Sequence, residues 1–284
     1  MSVLGAMGAA LGVLLVVGIA SAAVLSVFIN STRPQPQPRT PPRVSRAFVI
    51  HDALRSDRAD NALSLVQLAS TVADKAHMWP AIMPARDPTA RAAFEACPTP
   101  RLLVGEFGAT ASHIAALEHA LASDPELLHP AAHRWVLVFE DDALPRLPRD
   151  RVAARIHAAL GAAAQRHIDA VFFGWFYEHK VQPLVRVDAT TWRAPAPLSA
   201  IAYALRGSAL PGILALLKQR RCTVPVDCVY SSHLGDVLLA TRSRDAVPGQ
   251  RFLRDALFQQ LATPSSIAKR GEARTSSLGA AKRK

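Results

Sequence analysis

Five consecutive apolar residues, Trp135-Val-Leu-Val-Phe139, run directly into three acids, Glu140-Asp141-Asp142. Such a run reads as a buried strand. A buried strand cannot carry three adjacent carboxylates inward without compensation, because repulsion and desolvation would raise their pKa values or unfold the strand end. A hard divalent cation at the strand's carboxyl end removes the difficulty, since oxygen ligands suit magnesium and manganese. The same cation can bridge a substrate diphosphate and neutralise its charge as it leaves. Alternation along the strand puts Glu140 and Asp142 on one side and Asp141 on the other. Glu140 and Asp142 thus form an acid-x-acid pair suited to one metal–diphosphate group. The competing reading is an exposed acidic turn that closes a strand, and the triplet alone does not separate the two.

The segments around it alternate between strand and helix. Ala47-Phe-Val-Ile50 reads as a first buried strand. Asp60 to Ala76 reads as a helix with Leu63, Val66, Leu68 and Val72 on its apolar side. A loop with Pro80, Pro84, Pro88, Pro98 and Pro100 follows. Thr110 to Ser123 is a helix with Ile114, Leu117 and Leu121 on one face, and Val152 to Arg166 is another. Ala170 to Phe173 reads as a strand ended by Gly174, and Ala200 to Leu205 as a further strand. Ser208 to Gln219 is a helix that tolerates Pro211 in its first turn. This alternation predicts an α/β layered domain with a central, mainly parallel sheet. In such sheets ligands gather beyond the carboxyl ends of the strands.

The two ends differ from this body. Residues 1–30 carry no charged side chain, and Val3 to Ile29 is apolar or small throughout. That is longer than the roughly 20 residues that span a bilayer. It reads as a transmembrane anchor, with a cleaved signal peptide as the alternative. Residues 31–46 form a Pro-rich stem with Pro34, Pro36, Pro38, Pro41 and Pro42, an extended spacer. Residues 269–284 read as a disordered basic tail. The chain's net charge of +11 sits mostly in these ends: four arginines and no acid in the stem, six bases against Glu272 in the tail. The body is close to neutral, and with no basic recognition motif it gives no case for a nucleic-acid partner. The three cysteines, Cys97, Cys222 and Cys228, match no zinc module. Cys222 and Cys228 could bridge in an oxidising compartment; the other reading is three small buried apolar side chains.

Upstream of the triplet stands Gly105-Glu-Phe-Gly108-Ala-Thr-Ala-Ser112-His113. Gly-Glu-x-Gly, then Ser-His, a helix, and an apolar strand ending Glu-Asp-Asp together resemble glycosyltransferase family 25. That family includes bacterial lipooligosaccharide galactosyltransferases and collagen hydroxylysine galactosyltransferases. Phe48-Val-Ile50 with Arg55-Ser-Asp57-Arg58 resembles the family's opening strand and its Asp-Arg. Ala170-Val-Phe-Phe-Gly174 resembles its next core strand, and Ala202-Tyr203-Ala-Leu with Pro225-Val-Asp227 its late segment. Pro248-Gly-Gln250 and Ser265-Ser-Ile267 resemble its closing segment, so the match covers roughly residues 47–267. Two departures stand out. The family's opening strand runs into Asn-Leu where this chain has His51-Asp52, at a place of expected nucleotide contact. Its Gly-Cys is Gly108-Ala109 here, a change of packing.

The resemblance implies a GT-A-like, Rossmann-type domain over residues 47–268. It implies inverting transfer of a hexose such as galactose from a UDP-sugar to a glycan or protein hydroxyl, with manganese or magnesium. Asp142 would be the direct metal ligand, with Glu140 or Asp141 assisting through the ribose or a metal-bound water. Inversion needs a general base at the acceptor hydroxyl. Asp227 is the candidate, and a helix N-cap is its other reading. Ser112 and His113, at a helix start, would meet donor phosphates, or else serve only locally. Arg55, Asp57 and Arg58 complete the candidate donor site, though Arg58 could equally be a solvated first-turn residue. His233 is a possible extra ligand or an ordinary surface histidine. Trp175, Phe176 and Tyr177 could stack on a sugar or base, or pack in the core. Two other classes remain: a membrane-anchored binding protein that keeps the fold without catalysis, and a metal-dependent phosphate esterase. The side of the membrane is open. The stem arginines favour a cytoplasmic body, whereas Golgi-type glycosyltransferases have theirs in the lumen.

Overall fold

The computed structural model describes residues 42–98, 101–129, 133–176, 184–243 and 256–261. They belong to one unit that begins at Pro41. Its elements, in chain order, are β1 (Arg43–His51), α1 (Ser56–Val72), β2 (Ala73–Pro80), α2 (Pro88–Glu95) and α3 (Val104–Ser123). Then come β3 (Arg134–Glu140), β4 (Ala143–Pro145), α4 (Arg149–Gln165), β5 (Ala170–Phe176), β6 (Val185–Arg186), β7 (Thr191–Pro195) and β8 (Leu198–Arg206). The last are α5 (Leu210–Arg220), α6 (Val226–His233), β9 (Asp236–Ala240) and β10 (Phe258–Gln260). The predicted anchor, the stem up to Pro41 and the basic tail lie outside the described residues, as do the Pro248-Gly-Gln250 and Ser265-Ser-Ile267 motifs. Among the described residues no helix is long and apolar enough to cross a membrane.

Eight strands form one sheet in the order β2-β1-β3-β8-β5-β9-β7-β6. β1 lies parallel to both β2 and β3, and β5 parallel to β9. β8 is inserted antiparallel between β3 and β5, and β7 pairs antiparallel with β9 and β6. The expected α/β domain with a large central sheet is therefore present. The "mainly parallel" expectation holds for strand direction in β1, β2, β3, β5 and β9, while β8 and β7 break the neighbour pairing. A lone sequence gives strand positions but not the return path between them, so β8 reads like any other buried run.

The pleat divides the core. Trp135, Leu137 and Phe139 of β3 pack with α1 and α4, whereas Val136 and Val138 face α3, α5 and α6. The sheet is thus covered on both faces, which explains why β3 is apolar without alternation. On α1 the buried face is Ala62, Leu65, Leu68, Ala69 and Val72, at helical spacing. Leu63, assigned by sequence to the apolar side, is 53 % exposed.

Several boundaries move. The stem ends earlier than residue 46, because Arg43–Arg46 already belong to β1. The helix expected to reach Ala76 stops at Val72, and Ala73–Pro80 becomes the edge strand β2. The proline-rich loop contains α2, whose Pro88 sits in the first turn and whose Asp87 accepts hydrogen bonds from the Thr89 and Ala90 amides. Gly174 does not end its strand, which continues to Phe176, and Trp175 is fully buried in the core.

The cysteine pairing also differs from the expectation. Cys97 is bonded to Cys222, and Cys228 is the free cysteine. The bond fastens the segment after α2 to the end of α5, beside Leu102 and Phe107. It closes a sequence separation of 125 residues, which proximity in sequence could not suggest. Reduction, or Cys222→Ser, is expected to lower stability by about 2–4 kcal/mol, read as a urea midpoint with and without dithiothreitol. Cys228→Ser should leave the midpoint in place. Equal midpoints for reduced and oxidised protein would refute the bond's contribution.

Candidate metal–diphosphate cleft

The carboxyl ends of β1 and β3 open into a cleft. Its walls bring together Arg55, Arg58, Ser112, His113, Glu140, Asp141 and Asp142, all singled out by sequence, with Asp52 and Gln260. Ile50, Ala81, Ile82 and Met83 supply apolar surface, and Gly105 and Ala109 a close approach to α3.

Alternation along β3 decides where each acid goes. Glu140 falls on the α3 side, where its Oε1 lies 3.1 Å from His113 Nε2. Asp141 turns toward α1 and is fully engaged. Arg58 Nη1 donates to its Oδ1 at 2.7 Å, and its Oδ2 lies 2.9 Å from His51 Nδ1 and 3.3 Å from the Asp52 amide. Asn61 Nδ2 donates to the Asp141 carbonyl at 2.8 Å and to that of Ala143 at 3.0 Å, which pins the backbone. Asp142 Oδ2 accepts from Gln260 Nε2 at 3.0 Å and lies 3.1 Å from Arg58 Nη1. Its other oxygen, Oδ1, is buried without a partner. Burial, and next the negative charge of Glu140, push the Asp142 carboxyl up to about 6.

An orphaned carboxylate oxygen beside a second acid is what a cation would satisfy, so the donor set fits magnesium or manganese. Among the described residues no three His, Cys, Asp or Glu side chains gather as a ready metal cage. A site of one or two carboxylates completed by substrate phosphates needs no such cage.

The remaining candidates divide. Arg55 lines the cleft, its guanidinium held by Asp57 at 2.8 and 2.7 Å. Asp57 itself is exposed and forms no part of the wall, so it orients Arg55 instead of meeting a donor. Arg58 is no solvated first-turn residue: it is 6 % exposed and committed to the acids. Ser112 and His113 do not open a helix. α3 begins at Val104, so they lie more than two turns inside it, away from the free amides that an anion would use. Ser112 Oγ donates to the Gly108 carbonyl and accepts from the Ile82 amide, both at 2.7 Å. It thereby fastens the Ala81–Met83 wall to α3. Gly108 permits the contact, since a Cβ there would stand 2.5 Å from the Ile82 oxygen.

Asp227 lies in the first turn of α6 after Pro225 and does not line the cleft. Its Oδ1 accepts from the Cys228 amide at 2.8 Å. Burial raises its carboxyl, the Cys228 amide opposes this, and the charge of Glu140 adds to the rise. Glu140 is thus close enough to act on it. His233 bonds to Ser232 and the Val229 carbonyl on its own helix, and nothing gathers around it as a metal set. Phe176 and Tyr177 offer no described side chain, and Trp175 belongs to the core.

Sequence reading missed His51, Asn61, Arg86 and Gln260. Arg86 pairs with Asp52; burial pushes the Asp52 carboxyl up, but the Arg86 bond, the Leu54 amide and the charges of Arg86 and His51 together lower it. His51 and Asp52 both bind Asp141, one by its ring and the other by its backbone amide. A buried histidine next to an acid at a strand end was the available signal. Gln260, on β10 beside β4, had none.

No protein-family model matches the sequence, and no curated protein matches it either. The functional reading therefore rests on this cleft and on the order of the motifs.

Two outcomes follow. Arg58→Ala leaves two buried carboxylates without their cation and should cost about 3–5 kcal/mol, measured by urea unfolding. The raised Asp142 carboxyl holds its proton more tightly in the folded state than in the unfolded chain. Its contribution favours the fold below the ordinary carboxylate range and is lost as pH rises from about 4 to about 6. Without metal, Asp142→Asn should therefore gain on the wild type by on the order of 1–3 kcal/mol between pH 4 and pH 7. A stability difference that is flat with pH would contradict this.

Proposed function

We propose that the chain is a metal-dependent inverting glycosyltransferase of GT-A-like fold, which moves a hexose from a UDP-sugar to a glycan or protein hydroxyl. The observation that carries this reading is the buried, unpartnered Oδ1 of Asp142, a residue that lines the cleft with Glu140 at the carboxyl end of β3. Asp142 and Glu140 would hold manganese or magnesium. Bound there, the ion would offset the charge of a departing diphosphate. Arg55, fixed by Asp57, faces the same cleft and suits a phosphate oxygen. Arg58 and His51 keep Asp141 folded inward, so that Asp142 is the acid left for the ligand. Ile50 and Met83 give apolar surface on which a base can rest.

Asp227 is the proposed base. A carboxyl raised by burial accepts a proton more readily than an ordinary one. Its place outside the cleft wall favours the alternative, a binding protein of the same fold, more than any other feature does. The Cys97–Cys222 bond supports a body exposed to an oxidising compartment, such as the lumen of the secretory pathway or a periplasm. With the apolar N-terminal segment, that supports a membrane-anchored enzyme whose catalytic domain lies outside the cytoplasm.

The test is a screen of nucleotide sugars against the full chain with manganese. One UDP-sugar should raise the melting temperature and release UDP slowly. Asp142→Ala should abolish both, because a ligand stabilises only the state that binds it. Binding without turnover, with Asp227→Asn indistinguishable from wild type across acceptors, would support the binding protein. Release of phosphate from simple esters would overturn both.

A further inference from the structure

Three buried side chains form a hydrogen-bonded line that ends on Glu140. Tyr230 on α6 donates to the Tyr203 hydroxyl at 3.0 Å. The Tyr203 hydroxyl, on β8, lies 2.8 Å from His113 Nδ1. His113 Nε2, on α3, lies 3.1 Å from Glu140 Oε1. Both tyrosines are 0 % exposed and His113 is 1 % exposed, whereas the Glu140 side chain, at 27 %, stands at the edge of the cleft. Phenylalanine at 203 and 230 would fill the same core without polar atoms to satisfy. The line therefore asks for an explanation beyond packing.

Only one direction of donation satisfies every member. A carboxylate accepts and does not donate, so the proton on the facing nitrogen must be on Nε2. In a neutral ring Nδ1 is then bare and needs a donor, which Tyr203 provides. The Tyr203 oxygen in turn accepts from Tyr230. The opposite tautomer would set a bare Nε2 against a carboxylate oxygen, acceptor against acceptor. Burial raises both phenols above their ordinary range, so both keep the protons that the line uses.

We infer that His113 is a positioning residue: Tyr230 and Tyr203 hold it as the Nε2–H tautomer, and it holds Glu140 by Oε1 so that the second carboxylate oxygen is left for a ligand in the cleft. Oε2 has no protein partner among the described residues. The line also runs from α6, the helix of Asp227, through the antiparallel strand β8 to the acid pair. The tautomer stands independently of the proposed function; its effect on a bound cation rests on that reading.

The experiment has two arms. In the first, protein with ¹⁵N-labelled histidine is studied by NMR without metal, and the His113 ring nitrogens are assigned as the signals absent from H113Q. The wild type should show Nε2 protonated and Nδ1 bare. Y230F should keep that tautomer, because Tyr203 still donates. Y203F should keep the Nε2 proton, which the carboxylate fixes, but its Nδ1 resonance should move, because Nδ1 loses its donor. In the second arm, manganese affinity with UDP present is measured by electron paramagnetic resonance, on variants whose melting curves remain cooperative. H113N, which cannot reach Glu140 from the Nε2 position, should lose about 10–100-fold in affinity. H113Q, which can place an N–H there, should stay closer to the wild type. An Nδ1–H tautomer in the wild type, an Nδ1 resonance unmoved in Y203F, or H113N binding like the wild type would each overturn the inference. If the wild type itself binds no manganese with UDP, the functional reading fails, and the NMR arm alone decides the line.

Discussion

The guanidinium of Arg58, buried between Asp141 and Asp142, governs what the end of β3 can be. Taking charged groups out of water costs several kcal/mol for each ion. One cation offsets part of that cost for two carboxylates, and the arithmetic does not close. Glu140 adds a third acid, and the other nearby arginines are already paired, Arg55 with Asp57 and Arg86 with Asp52. Burial first, and next the negative charge of Glu140, raise the Asp142 carboxyl. Removing Arg58 would remove the only guanidinium that touches both acids among the described residues. The strand end is thus held together by one guanidinium shared between two acids.

The three acids do not share this burden equally, and the pleat is the reason. Asp141 turns toward α1 and finds Arg58, His51 and the Asp52 amide, so every one of its contacts is internal. Glu140 turns toward α3 and finds His113. Asp142, past the strand, takes one bond from Gln260 and is left with a bare oxygen. Arg58 spans Asp141 and Asp142, its Nη1 lying 2.7 Å from the first and 3.1 Å from the second, so the pleat sets Glu140 apart while all three acids line the cleft. His51 and Asp52 both meet Asp141, by side chain at one residue and backbone amide at the next.

Much of this was legible in the sequence because it depends on local pattern. The apolar run of β3, its three acids, the sides they take and the helices α3 and α4 follow from periodicity and composition. Arg55, Arg58, Ser112, His113 and the triplet do meet in one cleft. What was not legible depends on contacts between distant segments. β2 follows α1 without a break, and its half-exposed edge pattern lacks the apolar signal of a core strand. β7, β9 and β10 are three to five residues long, too short for a period to register. Gln260 reaches Asp142 across 118 residues, and Cys97 finds Cys222 across 125. Ser112 serves locally, the second of its two readings. The helix expected from Thr110 begins at Val104, and Gly108 within it is where Ile82 comes close.

The inserted strand β8 has a consequence that a purely parallel sheet would lack. Tyr203 pairs with Val138 on one side and Phe172 on the other, so its hydroxyl lies in the middle of the α3-facing core. From there it reaches His113 on one helix and Tyr230 on another. A displaced α6 would move Tyr230, and through rigid aromatic rings it would disturb the support of Glu140. Because cores are close-packed, such a shift is transmitted and not absorbed. Glu140 already raises the Asp227 carboxyl through space. Glu140 is therefore linked to α6 twice, by charge at Asp227 and by a line of hydrogen bonds at Tyr230, although Asp227 stands outside the cleft wall.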